Sequence, residues 1–97
     1  MRIYRDGVSG KKLYPVANRE NNEHKIDTMV TRAENAMYDA MYAHADDKTI
    51  DEREKKFRKY MRAWERTFTI DGMIYASYPH YETLREMIAT YELTRKH

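Results

Sequence analysis

The chain of 97 residues contains no cysteine. That absence excludes disulfides, thiol nucleophiles and thiolate metal sites, and it fits a reducing cytoplasm. Glycine is scarce at three residues, too few for a phosphate-cradling loop of the Gly-x-Gly-x-x-Gly kind. Only two serines occur, Ser9 and Ser77, and neither sits in a nucleophile-elbow context. His24, His44, His80 and His97 are scattered, with no metal-ligand spacing such as His-Glu-x-x-His. No apolar run approaches the length of a membrane span. The start, Met1-Arg2-Ile3-Tyr4-Arg5-Asp6, lacks the apolar region of a signal peptide. The expectation is a non-enzymatic, cytoplasmic protein with no cofactor, no metal and no membrane segment.

What is present is charge and aromatic surface. Charged residues make up 35% of the chain and hydrophobic ones 41%, with nine tyrosines and seven methionines. Both of those types fill cores and also suit binding surfaces. The net charge is only +2, so its distribution matters more than its sum. Residues 51–66 carry seven Lys or Arg against four acids, whereas residues 26–50 carry two against five.

The spacing predicts one mainly α domain over residues 1–97. Its parts are an antiparallel helical hairpin, a C-terminal helix and a short N-terminal β or extended arm. Residues 1–20 read as that arm or a small hairpin, turned at Asp6-Gly7 and Ser9-Gly10, with Pro15 restricting its return strand to a sheet edge. A first helix over 22–45, capped by Asn21 or Asn22, has Ile26, Met29, Val30, Ala33, Met37, Ala40, Met41 and His44 on one face. Asp46-Asp47 opposes the negative end of its dipole and stops it. A second helix over 50–67 opens on a capping box of Thr49 and Glu52. Residues 68–78 carry the Asp71-Gly72 hairpin signal but are equally compatible with a frayed helix end; a break with a short β segment is preferred. A third helix over 79–96 has Tyr81, Leu84, Met87, Ile88 and Tyr91 inward and Arg95-Lys96-His97 at its end.

Two surfaces stand out. Wound at about 100° per residue, the second helix separates Phe57, Tyr60, Met61, Trp64 and Phe68 from a basic ridge of Lys55, Lys59, Arg62 and Arg66. The first set is core, with Trp64 expected at its centre. The ridge suits a nucleic-acid partner, because such a row can follow phosphates, and Arg2, Arg5, Lys11 and Lys12 could extend it. The competing reading is a solvated face balanced by pairs such as Asp51–Lys55 and Glu52–Lys56. The second surface is Tyr38 and Tyr42, one turn apart on the outer side of the first helix with Asn35. Outward tyrosines suit a protein contact, with a partner or in a homodimer, unless the N-terminal arm covers them. In size, lack of cysteine and wealth of Tyr, Met and charge, the chain resembles the small accessory proteins of phages and mobile elements. That style implies a self-associating, regulatory or inhibitory interaction module, with a nucleic-acid-binding accessory protein as the alternative.

Overall fold

A computed structural model describes residues 3–95. The elements run β1 (Tyr14–Asn18), α1 (Arg19–Tyr42), α2 (Asp47–Glu65), β2 (Phe68–Ile70), β3 (Met73–Ala76) and α3 (His80–Arg95). Three helices thus carry most of the chain, as the spacing implied, but the N-terminal segment is more than an arm. It supplies an edge strand to an antiparallel sheet of order β1-β3-β2. Pro15 lacks an amide proton and is tolerated there, next to a register shift between Pro15 and Ala17.

The helix boundaries differ from expectation for physical reasons. β1 leads straight into α1, so its last residue, Asn18, is the cap rather than Asn21 or Asn22. The Asn18 side chain accepts the Asn21 amide at 3.3 Å. At the other end, His44 takes a left-handed conformation (φ 53°). The amides of His44 and Ala45 bond back to Met41 and Ala40, which closes the helix without glycine. His44 therefore leaves the apolar face and is exposed. Asp46 and Asp47 do not end α1; they start α2, with Asp46 as its cap residue. Acids suit the positive end of the α2 dipole better than the negative end of α1. Thr49 consequently lies inside the helix, and the capping box with Glu52 does not form.

Residues 68–76 form a hairpin, with Ile70 paired to Met73 across a two-residue turn. Asp71 (φ 51°) and Gly72 (φ 76°) both have positive φ. That is the mirror-image turn for which Asp-Gly is favoured, because its twist matches the strands. Phe68 thus belongs to β2 and is partly exposed, not part of the α2 stripe. On the N-terminal side, residues 3–13 double back through a bridge between Arg5 and Lys12. Tyr4 packs edge-on against Tyr75 of β3 at 5.1 Å, so this hairpin docks on the sheet.

The core forms where the sheet meets the helices, around Val16, Ile26, Tyr60, Ala63, Ile74, Leu84 and Met87. Trp64 is not its centre. Tyr60, at 3% exposure, and the small Ala63, which lets helices approach, take that position. Trp64 lies at the rim, half-buried, with its indole Nε1–H donated to Asp27 Oδ1 at 2.6 Å and the Arg19 guanidinium 5.9 Å from its ring. That bond ties the C-terminal part of α2 to α1. Among the described residues no helix is long and apolar enough to cross a membrane.

Candidate nucleic-acid interface

α2 exposes Lys55, Lys59 and Arg62 along one side, and its C-terminal cap residue Arg66 is exposed just beyond them. From Lys55 to Arg66 is a rise of about 16 Å at roughly 1.5 Å per residue. The balancing pairs Asp51–Lys55 and Glu52–Lys56 are absent from the ion pairs of the described residues. Instead Arg58 pairs with Glu54 at 3.5 Å, and the Lys56 ammonium lies 5.6 Å from the Tyr60 ring. The ridge cations therefore keep their charge available.

Tertiary structure adds groups that a helical wheel cannot. The start of α3 approaches α2 and leaves a groove of about 300 Å³, lined by Lys55, Arg58, Lys59 and Arg62 on one wall and Pro79, His80 and Thr83 on the other. The His80 imidazole is held below its ordinary pKa, first by burial and then by the positive charges of Arg66, Lys11 and Arg62. Those three cations come from α2 and from the N-terminal hairpin, so charge from two separate pieces of chain converges on a third. Asp6, the acid that senses Arg66, is engaged elsewhere. Its carboxylate accepts the amides of Val8 (2.7 Å) and Ser9 (3.2 Å), which lower its pKa more than any neighbouring charge does.

Beside Lys11, the Lys12 ammonium lies 5.1 Å from the centre of the Tyr14 ring. Tyr14 belongs to a trio with Tyr78 and Tyr81, whose ring centres are 4.8 to 5.7 Å apart. Tyr14 and Tyr81 are half-buried, while Tyr78 keeps 43% of its surface open. Sequence spacing did not single out this trio, since its members lie on β1, on the loop before α3 and in α3. Of the proposed extensions of the ridge, Lys11 and Lys12 reach this region. Arg5 turns back to the Gly10 carbonyl at 3.0 Å. Arg2 lies outside the described residues, as do Lys96 and His97 at the expected end of the third helix.

The tyrosine pair occupies a different place. Tyr38 (44% exposed) and Tyr42 (81%) lie near the end of α1 with exposed Asn35, and the exposed Met41 joins them. The N-terminal hairpin docks on the sheet through Tyr4 and Tyr75 and leaves both tyrosines open. Towards that end, α3 is anchored to α1 by Lys25 to Glu92 at 3.0 Å and by Arg32 to Thr94 at 3.1 Å. Past Thr94, α1 and α2 flank a second concavity of about 390 Å³ bounded by Arg32, Ala36, Asp39, Arg53 and Lys56. Among the described residues, no group of three or more His, Asp or Glu side chains gathers where a metal ion could be held.

The ridge, the groove and the tyrosine trio give a surface that can bond phosphate oxygens through guanidinium and ammonium groups and offer an aromatic face beside them. No family model, no curated protein and no solved structure matches the chain.

Proposed function

We propose that this chain is a non-catalytic accessory protein that binds nucleic acid along the outer side of α2. The observation that carries this reading is the convergence of cations on the groove between α2 and α3. Lys55, Arg58, Lys59 and Arg62 line the groove opposite His80, whose pKa is lowered first by burial and then by the charges of Arg66, Lys11 and Arg62. Among the described residues, none of the four ridge cations is held in an ion pair, although Asp51 lies one turn before Lys55 and Arg58 beside them pairs with Glu54. The modest net charge of +2 is no obstacle, because attraction at contact distance depends on the local patch and is screened within about 10 Å at 0.1 M salt.

The test is direct binding of labelled DNA and RNA oligonucleotides by the wild type and by an Arg62→Gln/Arg66→Gln variant. Both positions are exposed, so the variant should fold normally. Binding that the variant weakens at least tenfold supports the reading; absence of binding at low salt removes it. A second reading, contact with another protein or a second copy, draws on Asn35, Tyr38 and Tyr42, favoured by the 81% exposure of Tyr42 beside Met41. Solution mass and partner capture by Tyr38→Ala/Tyr42→Ala test it; unchanged association and capture would discard it.

A further inference from the structure

We infer that the nucleic acid this surface takes is single-stranded, with one base stacked on Tyr78; the inference rests on the nucleic-acid reading above. Duplex DNA or RNA presents phosphates outward and keeps its bases stacked inside. A duplex therefore offers no unstacked base to an exposed aromatic ring, whereas a single strand does. Here the charged ridge leads to an aromatic platform. His80 borders the groove, and the cations acting on it include Lys11. The neighbouring Lys12 lies over Tyr14, which packs edge-on against Tyr78 at 4.8 Å. Tyr78 immediately precedes Pro79 and His80, which line the groove, so a strand whose phosphates lie on the ridge passes beside Tyr78.

The geometry of Tyr78 fits that task. Tyr14 and Tyr81 meet its ring at interplanar angles of 69° and 62°. These two neighbours fix the ring's position, and 43% of the residue still remains open to a ligand. A ring already fixed loses little side-chain entropy when a base lands on it. Glu82 lies one helical turn beyond Tyr78, and its charge acts on the phenol. It repels phosphate, which favours a base rather than backbone at this position.

The test compares fluorescence anisotropy of a labelled oligothymidylate of about twelve nucleotides, within the usual site size of a small single-strand binder, with that of a blunt duplex of equal length. Wild type should prefer the single strand about tenfold or more. Loss of one stacked base should weaken single-strand binding between about fivefold and a hundredfold in Tyr78→Ala. Duplex affinity and the salt dependence of binding should be unchanged, and Tyr78→Phe should restore the preference. If Tyr78→Ala does not fold, Tyr78→Leu serves, since it keeps apolar bulk without an aromatic face. Equal affinity for duplex and single strand, or equal losses on both, would overturn the inference while leaving nucleic-acid binding intact. No binding to either at low salt would overturn both.

Discussion

The Trp64–Asp27 hydrogen bond should be measurable as a coupling between α1 and α2, and its size follows from where the two groups sit. The indole N–H meets the carboxylate at 2.6 Å. Hydrogen bonds with an ionised partner contribute about 1.5–3 kcal/mol when buried. Asp27 is exposed, so water competes for the carboxylate and the coupling should fall to about 1 kcal/mol. A double-mutant cycle of Trp64→Phe, Asp27→Ala and the pair isolates this value, because the gain in helix propensity from alanine cancels around the cycle. Trp64 is the only tryptophan, so urea unfolding must be followed by circular dichroism rather than fluorescence. With a slope of about 1 kcal/mol per molar urea, coupling appears as roughly a 1 M difference in midpoint between the additive and observed double variant. Trp64→Ala alone should cost about 2–3 kcal/mol, since half-burial of an indole removes roughly 100 Å² from water at about 25 cal/mol per Å². A coupling indistinguishable from zero would show that the bond does not hold α2 in place. A Trp64→Ala cost well above that range would show that the indole is core after all.

Three further outcomes are expected. Leu84→Ala empties a fully buried position and should destabilise by about 2–5 kcal/mol, measured by urea unfolding; a cost under 1 kcal/mol would contradict the observed packing. His44→Gly should stabilise by about 0.5–1 kcal/mol, because His44 holds a left-handed φ of 53° that glycine adopts without strain; a lower melting temperature would be the contrary result. The His80 imidazole should titrate below 6.5 by NMR, owing to burial and to Arg66, Lys11 and Arg62. The unfolded chain then binds the proton more readily, so His80 makes folding less favourable as pH falls from 6.5 towards its folded pKa. Phosphates placed in the groove should raise that pKa, and a midpoint at or above 6.5 in the free protein would refute the convergence of charge.

Sequence periodicity made the three helices legible because apolar residues at i, i+3 and i+4 must share a face. It could not rank residues along that face by depth. Trp64 looked central for its size, yet the space beside the sheet is filled by Tyr60 and the small Ala63. Boundaries were ambiguous where one residue type serves two ends. Asp46 and Asp47 are poor at the end of α1 and good at the start of α2, and only the chain path distinguishes the two. Asn18 reads as the end of a strand until the helix is seen to follow it directly. The Asp71-Gly72 pair did signal its turn, since both residues tolerate positive φ.

The ridge was legible for the same reason as the core, as the opposite side of one amphipathic helix. Its extension was not. Lys11 lies far in sequence from Tyr78 and His80, and they come beside the ridge only because β1 pairs with β3 and α3 packs beside α2. Neither periodicity nor composition carries that long-range information. The exposed pair Tyr38 and Tyr42, in contrast, could be placed from the helical wheel alone.

The most direct test of nucleic-acid binding along α2 is the salt dependence of oligonucleotide affinity. Four ridge cations each displacing a counterion from a single strand predict a slope of about −3 for the logarithm of the association constant against that of salt. Affinity should then fall roughly 50-fold between about 50 and 200 mM salt. In a Lys55→Gln/Lys59→Gln/Arg62→Gln/Arg66→Gln variant that still folds, the slope should flatten to about −1 or less in magnitude, the share that Lys11 and its neighbours leave. A wild-type slope near zero, or one that survives these substitutions, would contradict the assignment of the basic face.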